Sequence, residues 1–427
     1  MDLERPHNHE LYCRRFSTIH QRPEKPTLME IRKWLVKPAA SFAVCALGLT
    51  GIALATSTPA NAGLNGPVEI DRLVTAGSNY EANLTAEVGF WTLRNIAAAG
   101  LSGPLDNDYG QEEVAPPGGW DNLSAPWTGQ GLVSKTVGKL LMQFTNIGGN
   151  GKPFVDACSA NVVTSANKSV ITAAGHCFKM SALMGGNTGD WVATNAVFIP
   201  GFNGANLKRG QPIVDGVVKD PELDQPPGTD VAPYGVWAVT RAWMPYNWYY
   251  NASWILGSDV AMAVVDNPYD SRPIADVTGG QRIGFNQVSN PQTVYQFGYP
   301  TNNSRNWYGY KNNDGTKASN GAAPSDWRDY AGRTMMYAHG TSFQDDLTYG
   351  NSIPSAMSPG SSGGPWFKDF DPATGTGVQI GVTSRFSDMS GTFAPTGSWQ
   401  MGPALVSQGF GPATQEMYQK AQAASTN

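Results

Sequence analysis

The chain has 427 residues, of which 41% are hydrophobic and only 15% charged, with a formal net charge of −5. So little charge excludes a disordered acidic chain, a coiled coil or a basic nucleic-acid binder. The 49 Gly, 30 Pro, 13 Trp and 16 Tyr predict many short strands joined by turns, an all-β protein. In chain order, the first feature is the apolar, uncharged run Ala39–Thr56, preceded by Arg32, Lys33 and Lys37 and followed by Ser57-Thr58-Pro59-Ala60-Asn61-Ala62. That pattern predicts a signal peptide over residues 1–62, cleaved after Ala62, with Met29 as the suspected true start. The reading that competes with it is an uncleaved anchor, since about 18 apolar residues are borderline for spanning. Arg14-Arg15 lies too far from the apolar run for twin-arginine export, so the expectation is Sec export, a secreted (extracellular) protein and no membrane association after signal removal.

Losing residues 1–62 removes eight of the 29 Lys and Arg and five of the 34 Asp and Glu, leaving 21 against 29 and a charge near −8. His7, His9, His20, Cys13 and Cys45 go with them. The mature chain keeps His176, His339, Cys158 and Cys177. An even cysteine pair in an oxidising compartment predicts a Cys158–Cys177 disulfide. With the sulfurs so used, two histidines cannot complete a usual zinc set, and neither a metal nor a cofactor is expected; an all-oxygen Ca2+ site stays open.

Residues 63–132 differ in character from the rest of the mature chain. Leu84, Val88, Trp91, Leu93 and Ile96 predict a helix over Tyr80–Ala99, and Val114-Ala115-Pro116-Pro117-Gly118-Gly119 reads as a linker. The segment is either a pro-segment removed on maturation, the preferred reading, or a permanent extension. From Val133 onward strands are predicted at 139–144, 157–163, 169–173, 191–199, 236–242, 260–265, 293–297, 334–337 and 379–384, a spacing typical of barrels or sandwiches. Pro412 suits the first position of a closing helix, Pro412–Ala424.

Three motifs carry chemistry. In Gly360-Ser361-Ser362-Gly363-Gly364-Pro365 a Ser on a tight glycine turn can project its hydroxyl beside N–H groups that stabilise an oxyanion. Such Ser/Gly runs are more often plain turns. In Thr172-Ala173-Ala174-Gly175-His176-Cys177 the histidine sits beside one end of the disulfide. A serine needs an imidazole base near neutral pH, and His339, in Tyr337-Ala338-His339-Gly340, is the only rival. In Asp259-Val260-Ala261-Met262-Ala263-Val264-Val265 an Asp heads an apolar strand and can orient an imidazole. Asp230-Val231-Ala232 is a decoy that continues into Pro233 within a loop-like flank.

The order TAAGHC, DVAxA, GSSGGP resembles the chymotrypsin-like (trypsin-fold) serine proteases. More narrowly, the chain is similar to secreted bacterial trypsin-like peptidases of the actinobacterial and glutamyl-endopeptidase kind. Cys158-Ser159-Ala160-Asn161-Val162-Val163, Ile283-Gly284-Phe285-Asn286, Phe297-Gly298-Tyr299-Pro300 and Ser361-Ser362-Gly363-Gly364-Pro365-Trp366 add to the resemblance, which covers roughly residues 133–424. It implies two antiparallel six-stranded β-barrels with a C-terminal helix, the first over 133–275 and the second over 276–427. It further implies a monomer acting on protein or peptide substrates. His176, Asp259 and Ser362 would form the triad, and the N–H groups of Gly360 and Ser362 the oxyanion hole. Ala356, Met357, Ser384 and Phe386 would shape the specificity pocket. Ser361 stands where zymogens of this family carry Asp, so activation through an ammonium–Asp pair is unavailable. No carboxylate lies at Ala356, which disfavours Arg or Lys specificity; Thr383 replaces a family histidine, and Arg385 could attract a carboxylate. Two alternatives remain. One is an inactive homologue. The other is a carbohydrate-binding β-protein using Trp237, Trp243, Trp248, Tyr249, Tyr250 and Trp254, residues whose plainer reading is aromatic burial.

Overall fold

A computed structural model describes residues 66–70, 73–74, 77–100, 125–147, 152–180, 190–205, 207, 221–251, 258–301, 332–344, 351–355, 357, 359–388 and 403–425. All belong to one of the chain's two compact units; the other, Pro6–Ala60, lies outside the described residues together with the expected signal peptide. Among the described residues no helix is long and apolar enough to cross a membrane.

The described chain opens with strand β1 (Val68–Glu69), helices α1 (Tyr80–Gly89) and α2 (Leu93–Gly100), and strand β2 (Ala125–Pro126). Next come β3 (Val137–Ile147), β4 (Phe154–Val162), β5 (Val170–Ala173), β6 (Lys179–Met180), β7 (Asp190–Pro200) and β8 (Trp237–Met244). A one-turn helix, α3 (Tyr246–Asn251), precedes β9 (Ala261–Asp266). The second half holds β10 (Arg282–Ile283), β11 (Thr293–Gly298), β12 (Met336–Thr341), β13 (Phe343–Gln344) and β14 (Asn351–Pro354). It ends with β15 (Pro365–Asp371), β16 (Thr376–Asp388), β17 (Pro403–Gly409) and helix α4 (Pro412–Ala423).

In the first sheet the order β8-β9-β5-β4-β3-β7 closes on itself because β7 also pairs with β8, giving an antiparallel barrel of six strands. Strand β3 has both faces covered. Leu140, Met142 and Phe144 fill the barrel interior with Ile171, Phe198, Trp237 and Val265. Val137 and Leu141, on the other face, join a second cluster with Trp91, Ile96, Phe297 and Phe367. Even Lys139, on the second face, is fully buried.

The covering layer comes partly from the N-terminal region. β1 pairs with β8, and Arg241 grips Glu69 through two bonds, 2.6 and 2.9 Å. The single helix expected over 80–99 is two helices. Asn95 Nδ2 donates to the Phe90 carbonyl (2.6 Å), satisfying a group that a continuous helix would use, and the break at Trp91 lets its indole sink fully and donate to Asn195 Oδ1 at 2.5 Å. Residues 125–127, expected to belong with the extension, run with the second sheet instead. β2 pairs with β12, and Trp127 meets the rings of Phe297, Tyr337 and Phe370 edge-on.

The second sheet follows the order β13-β14-β17-β16-β15-β11-β12-β2, with β10 running parallel beside β16. Among the described strands its hydrogen-bonded path stays open, where the resemblance implies a ring of six. Val294, Met336, Ile353, Trp366 and Ile380 form its core. Helix α4 starts with Pro412 at its first turn and ends one residue before the expected boundary. Its Met417 and Ala421 pack on Trp243, Val260, Met262 and Val264 of the first barrel.

Candidate active site

Strand β5 delivers its chain into a turn of 3-10 helix, Gly175–Cys177, that carries His176. Cys177 is disulfide-bonded to Cys158 on β4, which ties this turn to the neighbouring strand. Asp259 lies just ahead of β9, the other neighbour of β5, and is fully buried. Burying a carboxylate is costly unless donors surround it. Here three do. The His176 main-chain N–H reaches Oδ1 at 2.8 Å, the His176 ring meets Oδ2 through Nδ1 at 2.8 Å, and Ser384 Oγ donates to Oδ2 at 2.6 Å. An ionised carboxylate only accepts, so Nδ1 carries the ring proton and Nε2 is left as the basic nitrogen. Burial alone would push the imidazole pKa down; the charge of Asp259 and its hydrogen bond outweigh that, and the net direction is up. The side chain keeps 15% exposure, enough for a substrate to reach it.

Ser384 is a residue whose part sequence reasoning missed. Beyond its expected place on a pocket wall, its hydroxyl is bonded to Asp259. The cause is a bulge: along β16–β17, Thr383 opposes Ser407 and Arg385 opposes Val406, so Ser384 is the extra residue and its side chain is re-aimed. No composition or spacing signal marks a bulge.

Ser362 rides on the turn between β14 and β15 and is partly exposed between buried Ser361 and Gly363. Its carbonyl accepts the Ser159 N–H at 2.7 Å. The same oxygen lies 3.9 Å from Cys177 Sγ, a plain contact, because an oxidised sulfur has no proton to donate. A Cβ at Gly363, where φ is +79°, would lie 2.4 Å from the Ser159 carbonyl and 2.9 Å from the Ala174 nitrogen. Only glycine lets the turn approach the His176 segment so closely. The backbone of Ser362 thus rests against the residue after His176.

The structure also places the other expected residues. Met357, expected in the specificity pocket, is fully buried with Val294, Met336 and Trp366 in the second core, so packing claims its side chain. Ala356 lies outside the described residues, as does the side chain of Phe386, whose backbone pairs with Leu405. The decoy Asp230 sits exposed in a turn. His339 is exposed on β12 and stacks on Tyr295 at 4.9 Å, within the second sheet. Of the aromatic set, Trp237, Trp243 and Trp248 are buried against the first barrel; Tyr250 is 58% exposed, and Trp254 lies outside the described residues. The Cys158, His176 and Cys177 ligand atoms cluster within 4.8 Å, but both sulfurs are spent in the disulfide and offer no thiolate to a metal.

No protein-family model and no curated protein matches the chain. Solved structures do. Protease Anisep from Arthrobacter nicotinovorans is 25% identical, over 71% of this chain and 100% of that one, at a TM-score of 0.45. The thermostable serine protease AL20, from an extremophilic microorganism, is 24% identical over 68% and 99%, also at 0.45. A Glu endopeptidase is 13% identical over 71% and 98%, at 0.42. These three solved structures are proteases.

Proposed function

We propose that the protein is a secreted serine endopeptidase acting through Ser362, His176 and Asp259, with protein or peptide substrates. One observation carries the reading: a buried Asp259 takes both the main-chain N–H and the Nδ1 side of His176, on a turn whose neighbour touches the Ser362 carbonyl. A surface histidine has no need of a buried carboxylate with three donors.

In this reading His176 Nε2 accepts the Ser362 hydroxyl proton as Oγ attacks the scissile carbonyl carbon. The C–O bond forms, the carbonyl becomes an oxyanion, and the N–H groups of Gly360 and Ser362 stabilise it. Collapse breaks the C–N bond, with the proton passing from His176 to the leaving amine. Water, deprotonated by the same ring, then hydrolyses the acyl-enzyme. Asp259 keeps the proton on Nδ1 and stabilises the imidazolium, and Ser384 keeps Asp259 in place. Ala356, Ser384 and Phe386 stay assigned to the pocket region through their place in the chain, while Met357 belongs to the core.

A fluorophosphonate probe tests the reading. Covalent labelling of the secreted protein, abolished in Ser362→Ala and in His176→Ala, is the expected result. Labelling that persists in Ser362→Ala refutes it by pointing to another nucleophile; no labelling of the secreted wild type refutes it and favours the binding alternatives.

A further inference from the structure

Four consecutive carbonyls run through the Ser362 turn, and each is held. The Pro359 oxygen accepts Thr301 N–H at 2.7 Å and Thr301 Oγ1–H at 3.0 Å. The Ser361 oxygen accepts Gly364 N–H at 2.9 Å, and the Ser362 oxygen accepts Ser159 N–H at 2.7 Å. The Gly360 oxygen is different. Among the described residues its partner is a side chain from the other sheet, Ser159 Oγ, at 2.8 Å. That hydroxyl is fully buried, and its oxygen in turn accepts the Tyr299 N–H at 2.8 Å, so donor and acceptor capacity are both engaged and its direction is fixed.

Peptide planarity turns these bonds into a statement about the N–H groups. The Gly360 N–H lies in the plane of the Pro359 carbonyl, and the Ser362 N–H in the plane of the Ser361 carbonyl. The peptide joining those two planes is Gly360–Ser361, and its carbonyl is the one that Ser159 holds. Gly360, at φ +95°, has no Cβ to resist rotation of that peptide. The angle between the two donors therefore depends on the grip on this carbonyl. We infer that Ser159 is a positioning residue for the oxyanion hole, set by the first barrel: its hydroxyl fixes the peptide linking the Gly360 and Ser362 N–H groups. The inference rests on the proposed serine-protease reading.

The test is Ser159→Ala, which keeps the main-chain N–H to Ser362 and deletes only the hydroxyl. A peptide amide cleaved by the wild type is selected from a library as substrate. The expected result is a fall in kcat of about 10- to 100-fold, smaller than loss of a whole oxyanion donor, with KM within about twofold. The rate of fluorophosphonate labelling falls by a similar factor, and the acidic limb of the pH profile, which belongs to His176, does not move. Ser159→Thr keeps the oxygen and retains kcat within a few-fold. Unchanged kcat and labelling rate in a folded Ser159→Ala overturn the inference. So does a loss spread equally over kcat, KM and the pH limb, which indicates general loosening. If Ser159→Ala does not fold, the Thr variant decides: a folded Thr protein with kcat down more than about tenfold at unchanged KM overturns it. A wild type that never labels at Ser362 fails the parent reading instead, and is distinguishable because no variant is needed to see it.

Discussion

The two halves of the candidate site are secured by opposite means. On the acid–base half, side chains do most of the holding: a disulfide ties the His176 turn to β4, and Asp259 takes the His176 ring, its main-chain N–H and the Ser384 hydroxyl from the second sheet. On the nucleophile half, main-chain groups dominate, with Thr301, Gly364 and Ser159 N–H groups on three of the four carbonyls of the Ser362 turn. A site built this way is vulnerable to side-chain deletion on the acid–base half. On the nucleophile half it is vulnerable chiefly at the serine itself and where a side chain reaches across from the first barrel.

Mutations rank that difference. Ser362→Ala is expected to lower kcat by about 10^6-fold, measured on a peptide amide, with the fold intact by circular dichroism. Asp259→Asn comes next, at about 10^4-fold, because the amide can favour the wrong tautomer of His176. Its pH profile sharpens the point. His176 must be neutral to act, and its pKa is raised, so wild-type kcat/KM is lost as pH falls through that raised value. In Asp259→Asn the acidic limb should shift to lower pH; an unmoved limb would contradict the pairing. Replacing both Cys158 and Cys177 by Ala removes a closed loop of separation 19 and should cost about 3 kcal/mol in denaturant unfolding. Ser384→Ala removes one hydrogen bond to a buried carboxylate, about 1.5–3 kcal/mol, and should reduce kcat far less than Asp259→Asn.

The smallest expected effect on activity comes from a change away from the site. Glu87 on α1 is buried, accepts the Ala196 N–H at 2.8 Å, and burial raises its pKa to about 8 despite that bond. Because the folded value lies above the unfolded one, stability is full at low pH and declines as the unfolded chain ionises while the folded one does not. Glu87→Gln should therefore gain on wild type as pH rises from about 4.5 to about 8, then hold level, by thermal unfolding at a series of pH values. A constant difference across that window would sink the account.

Much of the first barrel was legible, because its six strands hold dense apolar runs such as Val260–Val265 between turn clusters, and the strand ends shift by only a few residues. In the second sheet, β14, β15 and β17 were not read. β15 begins inside the serine motif and carries Lys368 and Asp369, and the four-residue β14 offers too short a pattern. His176, Asp259 and Ser362 stood out through their immediate neighbours, since scarcity of histidine and the glycine turn are local signals. Ser159 was visible only as a letter in a family-like string, and Ser384 only as a pocket candidate. Their roles arise from a hydrogen bond across two sheets and from a bulge, and neither leaves a periodic trace. The helix break at Trp91 was hidden for a similar reason: Asn95 capping Phe90 is a tertiary decision taken when the indole finds Asn195.

The chain ends are exchanged between the halves. β2, near the start, completes the second sheet and pins Trp127 among its aromatics, while α4, at the very end, lays Met417 and Ala421 over the first barrel. Each half is finished by polypeptide that belongs, in sequence, to the other. A gene cut near residue 275 would yield two fragments, one trailing an orphan strand and the other an uncovered apolar helix face. Complementation of the two on mixing, rather than independent folding of either, is the behaviour such an arrangement enforces.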